Sequence, residues 1–595
     1  MRRLLIQSLL TRVVSCAPGP APRVTTQFGV VEGIAEDSTT ESFLGVPFAK
    51  APIGPARFRR PEPWTEPLRQ TPSVADGVPV FPAKASSEMC TQRSHVIVGE
   101  AQGSEDCLYL NIHRPKPSRV GSTGTLPVMV YLFGGAFISG DSHWGTSLFR
   151  DVLSMYHGDG LVEEHDVVFV TVNYRVGLLG FLATTQQSVE NGGVTGNLGV
   201  LDQREALRWI QQNIKAFGGD SERVHLFGQS AGAFSVLFHA VSEISYEERL
   251  FSSLGLLSPT TDNSFFFQPK EQAVDMYEKF AVFCGCAEAQ MDCLRAISGR
   301  ELTKHWDEWT ARVLAFRGAS GNSNVPSWVP KSVTPLLLLA GHGPVIDGHR
   351  EGLLDVPMRL IEQRKVAGME RIPLVTGVTS DEGSLFTNGL SRLVPDLSFI
   401  QTSLALSASL VERVIDWTFS AEQSKKVKDF YQAQRAPLQT HKQKLSRILS
   451  DMFFACPTLN LVDAWPSSRK YFYLFDVHVP AVSPLLGVPH GLDIPFVLRK
   501  DRIIWFLAGG WYFPQAKRVS QLFTRAFVDV AVKGRTRWPE WDANSHFFAK
   551  FTLQHGGTVE EYPNKLDVAL PSQQICAFWK HDVGILDWVN IIPAL

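Results

Sequence analysis

The sequence predicts an α/β fold with a large, mostly parallel central sheet and helices on both faces. Three observations carry this. Apolar strand-like runs alternate with helix-like stretches from about residue 105 to 240. The runs LPVMVYLF (126–133) and DVVFVTVNY (166–174) are apolar almost throughout, as in strands covered on both faces. A helix-like stretch then precedes a further strand, RVHLF (223–227). Strand, helix, strand in this order implies parallel strands joined by right-handed crossovers.

The elements follow in chain order. Met1 to Val31 contain no acidic residue, and Arg2 and Arg3 precede the apolar stretch Leu4–Leu10. Residues 1–25 therefore read as a targeting segment, with secretion ahead of an Arg-rich organelle presequence. Residues 26–595 read as one domain. In Leu201–Ala216, Leu201, Leu207, Ile210 and Ile214 line one helical face. Gly218 suits the left-handed position that ends such a helix. Residues 265–450 are less regular and read as insertions and helices covering the sheet, with FRGASGNSNVPSW (316–328) as a loop. RIPLVTGV (371–378) and KYFYLFDVHV (470–479) supply the second half of the sheet.

Composition bounds the function. Of 595 residues, 44% are hydrophobic and 19% charged, enough for a substantial core. A net charge of −2 excludes the basic footprint of a nucleic-acid partner. No run of about 18 uncharged apolar residues exists to span a membrane. The eight cysteines form no matched CxxC pairs, which argues against structural zinc. Their even count fits disulfides in an oxidising compartment, or buried thiols. The chain has no Asn-x-Ser/Thr sequon, which weighs against secretion.

The chemistry concentrates in HLFGQSAGAF (225–234). A strand delivers the chain to Gly228-Gln229-Ser230-Ala231-Gly232, and an apolar helix carries it away. This matches the nucleophile-elbow pattern described for α/β-hydrolases, with Ser230 as the candidate nucleophile. Glycines two residues either side of Ser230 remove side chains that would collide in so tight a turn. A serine hydroxyl needs a base to take its proton. Six histidines follow Glu382: His441, His478, His490, His546, His555 and His581. His478 lies in a β-like run and reads as a packed strand residue. His490 precedes Gly491 in a loop, where an imidazole can reach. Asp381 rivals Glu382 as the acid, but reads as a local partner in the TSDEG turn.

The chain resembles the type-B carboxylesterases, the family of cholinesterases, bile-salt-activated lipases and non-catalytic neuroligins. The resemblance runs from about residue 25 onward and rests on several motifs. They include FLGVPFAKAPIGPARFRRPEPW (43–64), SEDCLYLNI (104–112), GGAFISG (134–140) and NYRVGLLGFL (173–182). Others are the block 196–235, TSDEGSLF (379–386), GVPHGLDIPFV (487–497) and CAFW (576–579).

The resemblance implies an α/β-hydrolase fold and a serine esterase that acts on a small-molecule ester or lipid without metal or cofactor. It aligns Ser230 as nucleophile, Glu382 as acid and His490 as base, in the chain order expected of this fold. It places oxyanion donors at the N–H groups of Gly135, Ala136 and Ala231, with Ala136 where many relatives carry glycine. It pairs Cys90 with Cys107, Cys286 with Cys293 and Cys456 with Cys576, with Cys284 open as a substitute for Cys286. It implies a buried Arg57–Glu105 ion pair and a place near the acyl pocket for Phe265–Phe267, which read equally well as packing. Where relatives read SG, this chain has LSPTT (257–261).

Cholinesterases carry a tryptophan in their first disulfide loop and a glutamate before the nucleophile. Here TQRSHVIVGEAQGSED (91–106) has no aromatic residue, and Gln229 is neutral. The expected substrate is thus a neutral, apolar ester. The alternative is a recognition domain on the same scaffold that has lost catalysis.

Overall fold

In the computed structural model, the described residues are 21–583 apart from 68–73, 76–77, 94–99, 121–123, 144–153, 262–266, 288–289, 321–342, 390–407, 434–439, 545–546, 554–558 and 563–569. Residues 1–20, which hold most of the predicted targeting segment, lie outside them. Arg23–Thr26 is already a strand, antiparallel to Gly29–Glu32 in a small sheet of four.

The large sheet has eleven strands. In chain order they are β1 (Ile34–Ala35), β2 (Thr40–Pro47), β3 (Tyr109–Pro115), β4 (Leu126–Leu132), β5 (Val168–Val172) and β6 (Gly219–Gln229). There follow β7 (Ser253–Leu257), β8 (Leu374–Thr379), β9 (Lys470–Asp476), β10 (Phe548–Thr552) and β11 (Val559–Tyr562). Their spatial order is β11-β10-β9-β8-β7-β6-β4-β5-β3-β2-β1. The strands from β5 to β10 are parallel, and the edges are antiparallel. The two apolar runs pair in register, Val128 with Val168 through Leu132 with Val172. Every residue of β5 and all but the first of β4 are buried, as two-sided cover requires.

The direction of winding reverses at β4, which has β5 on one side and β6 on the other. Such a switch point opens a crevice at the carboxyl ends of the strands. Helix α1 (Leu198–Asn213) packs its apolar face inward and tightens into a last turn, Ile214–Phe217. Gly218 then takes the left-handed cap at φ 84°. Helix α2 (Ala231–Ala240) leaves β6 and is buried along its whole length.

Two readings of the sequence are corrected. Residues 316–320 are not loop but the end of helix α3 (Gly299–Ser320); the rest of that stretch lies outside the described residues. Propensity lost there because a helix begun upstream extends at little cost per residue. His478 lies beyond the end of β9, is about half exposed, and pairs with Asp476 at 3.2 Å instead of packing in a strand. The last long helix, α4 (Asp501–Lys533), is broken by a non-helical Gly509 at φ 69°.

Three disulfides form: Cys90–Cys107, Cys286–Cys293 and Cys456–Cys576. Cys284 stays free, which settles the choice with Cys286. The third closes a separation of 120 residues. Replacing Cys456 and Cys576 together by serine should cost about 5 kcal/mol in the chain-entropy model. Chemical denaturation under oxidising conditions checks it; an unchanged midpoint would contradict the expectation. The Arg57–Glu105 pair is also present, with two hydrogen bonds of 2.5 and 2.8 Å. The Arg57 guanidinium also donates to the carbonyls of Arg295 and Ile297, as a structural strut would. No helix of the described residues is long and apolar enough to cross a membrane.

Candidate active site

Ser230 sits on the turn between β6 and α2 with φ 55° and ψ −125°, a strained backbone for a non-glycine residue. Its N–H donates to the Leu257 carbonyl at 3.0 Å, which anchors the turn to β7. The flanking glycines are required sterically. A Cβ on Gly228 would meet Gly232 backbone at 2.6 Å, and one on Gly232 would meet the Leu132 oxygen at 2.0 Å.

The loop after β4 passes directly over this turn. A Cβ on Gly134 would lie 2.7 Å from the Gln229 carbonyl oxygen and 3.0 Å from Ser230 Cβ. Gly135 takes φ 122°, Ala136 φ 54° and Phe137 φ 60°. Tyr174 Oη donates to the Phe133 carbonyl at 2.6 Å at the start of this loop. Gln92 clamps its end in both directions, donating to Gly140 O at 2.8 Å and accepting from Gly140 N at 2.7 Å. Among the described residues, the N–H groups of Gly135, Ala136 and Ala231 donate to no protein acceptor. Ala231 directly follows Ser230, and Gly135 and Ala136 belong to the loop whose Gly134 crosses the Ser230 turn.

Glu382 follows β8 and is fully buried. Its Oε1 accepts from Ser258 Oγ at 2.6 Å and from Thr379 N at 2.7 Å. Its Oε2 accepts from His490 Nδ1 at 2.5 Å. The imidazole is packed against Phe454 and Phe386, with ring centroids 4.5 and 5.3 Å away. Asp381 points elsewhere: its Oδ2 accepts from Val488 N at 2.9 Å and so ties down the loop that carries His490.

Glu382 and His490 therefore meet, but His490 makes a different contact from the expected one to Ser230. With Nδ1 protonated toward Glu382, Nε2 of His490 is an acceptor. The Gln229 side-chain amide donates to it at 3.0 Å. Among the described residues no hydrogen bond joins His490 to Ser230 Oγ. His490 Nε2 faces the residue before Ser230, with its lone pair occupied by that neighbouring amide. Hydrogen bonds of this kind often form only in the complex with substrate.

Gln229→Glu tests this contact. A carboxylate there would favour the protonated imidazole, because an opposite charge nearby stabilises the cation. The acid limb of kcat/KM should move to higher pH by about one unit. An unmoved profile would show that residue 229 does not reach the base.

Asp493 went unread in the sequence. It is fully buried, and its Oδ2 accepts from Tyr473 Oη at 2.8 Å. Its Oδ1 has no partner among the described residues. Burial pushes its carboxyl up to about 7, and the neighbouring Glu382 adds to the shift. In the unfolded chain the group ionises near 4. Between these values only the folded state keeps the proton, so stability falls as pH rises from about 4 to about 7 and is flat above. The thermal midpoints of wild type and Asp493→Asn should coincide near pH 4 and separate by pH 8, with the variant more stable. A constant offset across that range would refute the assignment.

Ser258 was visible only as a departure from the family pattern. Its φ of 50° and full burial aim its hydroxyl at Glu382. Phe267 is core, packed near Phe234 of α2 with centroids 6.3 Å apart; Phe265 and Phe266 lie outside the described residues. His546 and His555 lie outside them too, while His441 is the first residue of the helix His441–Ser450 and His581 lies in the helical turn Phe578–Asp582.

Glu36, His113 and His157 form a separate group whose donor atoms lie within 4.8 Å of one another. Their contacts are within the protein: His113 Nδ1 with Ser42 Oγ at 2.7 Å, and His157 with Glu36 at 3.3 Å and Asp159 at 3.5 Å.

A serine on an elbow, a buried acid–imidazole pair and open N–H donors, all at the carboxyl ends of parallel strands, suit acyl transfer. Comparison with known proteins agrees. The model of the carboxylesterase family matches residues 20–574. The acetylcholinesterase of Bungarus fasciatus is 29% identical, covering 96% of this chain and 89% of that protein. The para-nitrobenzyl esterase of Bacillus subtilis (strain 168) is 30% identical, covering 87% and 92%. A solved structure of PNB esterase superposes with a TM-score of 0.67 at 26% identity, covering 91% of this chain and 97% of that one. The chain belongs to the carboxylesterase family and is a carboxylic ester hydrolase.

Proposed function

We propose that the protein hydrolyses neutral, apolar esters through an acyl-enzyme on Ser230. The observation that carries the reading is the 2.5 Å contact between buried Glu382 and His490, beside the Ser230 turn. His490 Nε2 takes the hydroxyl proton as Oγ attacks the ester carbonyl. For this the Gln229 amide must give up that nitrogen. Glu382 holds the imidazole tautomer and stabilises its cation. The N–H groups of Gly135, Ala136 and Ala231 receive the oxyanion; one such donor is typically worth about 10²–10³ in rate. His490 then protonates the leaving alcohol, and water repeats the cycle to release the acid. Every group this chemistry needs is a side chain or a backbone N–H of the chain itself.

Neutral Gln229 and the aromatic-free stretch 91–106 support an uncharged substrate over a quaternary ammonium ester. The three disulfides support an oxidising compartment, the secretory lumen or beyond. Residues 26–595 would act as one catalytic unit.

The test pairs an active-site label with a substrate series. A fluorophosphonate should label wild type at Ser230, mapped by peptide mass, and leave Ser230→Ala unlabelled. The kcat/KM for p-nitrophenyl butyrate should exceed that for butyrylthiocholine by about 100-fold, the scale of a lost cation site. Labelling elsewhere would remove the nucleophile assignment, and preference for the choline ester would overturn the substrate class.

A further inference from the structure

One surface of the molecule is apolar without serving the core. The N-terminal part of α4 already has a buried face: Ile504 and Ala508 are buried, and Leu507 and Phe513 pack on the central core. Its other face carries Trp505, Phe506, Trp511 and Tyr512, which are 50%, 70%, 93% and 52% exposed. Four large aromatic side chains within eight residues, all turned to solvent, are far from ordinary scatter on a protein surface. The backbone favours this presentation. Gly509 leaves the helical region at φ 69°, so the chain bends between the two aromatic pairs.

The rim of the patch is cationic. Residues 499–518 hold five basic residues and one acid, Asp501. Asp501 is taken by Lys517 at 2.7 Å and Arg499 at 3.4 Å. Lys500 pairs with Asp159, and Arg499 also with Glu164. That leaves Arg502 and Arg518, both exposed and in no ion pair among the described residues, at the two ends of the aromatic run. The patch is joined to the loop that leads to His490: Ala481 N donates to the Leu507 carbonyl at 3.1 Å. On that loop Leu485 is exposed, and Lys442 Nζ approaches its carbonyl at 3.4 Å.

We propose that this face docks the protein on an anionic lipid surface, with Trp505, Phe506, Trp511 and Tyr512 in the interface and Arg502 and Arg518 against the headgroups. Tryptophan and tyrosine suit that boundary, since each has an apolar body and a polar tip. Flanking cations add attraction to acidic headgroups. Charge argues against a second copy as occupant. A two-fold contact puts the same patch on both sides and would bring the arginine rims together. Docking would bring the His490 loop close to the lipid phase. The inference rests on the surface alone and stands apart from the role of Ser230.

Vesicle flotation of the full chain tests it. Wild type should float with phosphatidylcholine vesicles containing about 30% phosphatidylserine, not with pure phosphatidylcholine, and should be released at about 0.5 M salt. Tryptophan emission should shift to the blue on binding and be quenched by brominated lipid. The double variant Phe506→Gln/Trp511→Gln should lose at least about tenfold in partitioning. Arg502→Gln/Arg518→Gln should lose about fivefold per arginine and keep its hydrolysis of a soluble ester. The arginine pair, far from the core, decides the matter if the aromatic pair impairs folding. Flotation unchanged in the arginine pair, or no flotation of wild type, would overturn the proposal. So would a wild-type dimer, on size exclusion without lipid, that Trp511→Gln dissolves; the face would then be a contact between copies.

Discussion

Ser230→Ala should lower kcat for p-nitrophenyl butyrate by about 10⁴–10⁶-fold and leave KM nearly unchanged. Removing Oγ removes the covalent step but not the donors of the 135–136 loop or the space above the turn. The fold should survive. The strained φ of 55° is imposed by β6, α2 and the Ser230 N–H bond to Leu257, none of which needs the hydroxyl. Circular dichroism and the thermal midpoint check this independently. A rate within about tenfold of wild type would show that another group carries the acyl transfer.

Glu382→Gln should cost about 10⁴ in kcat for a different reason. The carboxylate serves three donors: Ser258 Oγ and Thr379 N on Oε1, and His490 Nδ1 on Oε2. A glutamine offers one carbonyl oxygen and one NH₂. The pair Ser258 and Thr379 claims the oxygen, so the NH₂ faces Nδ1. The imidazole must then carry its proton on Nε2, where it can no longer accept one from Ser230. The loss should appear in kcat, with the serine still present and KM little changed. Fluorophosphonate labelling should slow in proportion. If labelling and turnover both stay near wild type, Glu382 does not set the tautomer.

The parallel sheet was legible because two-sided burial leaves continuous apolar runs, as in β4 and β5. The turn at Ser230 was legible because its flanking glycines are a steric necessity that shows in the letters. Helix α3 was misread at 316–320 because composition signals a loop while a helix already begun carries on through it. The pairing of Glu382 with His490 came from the motif resemblance; 108 residues separate them, and local pattern says nothing about contacts of that range.

The sequence by itself determined the α/β fold class, the glycine-flanked turn at Ser230, the chain order of Ser230, Glu382 and His490, and the neutrality of position 229. Each follows from local sterics, from periodicity or from an alignable motif. Only the tertiary structure decided the partner of each polar atom. It set Gln229 on the Nε2 of His490, turned Ser258 to Glu382, and buried Asp493 beside both. It also turned four aromatic side chains of α4 outward. Burial and hydrogen-bond partnership depend on which strands and loops converge, and chain topology brings residues from β6, β7, β8 and the loop after β9 to one crevice.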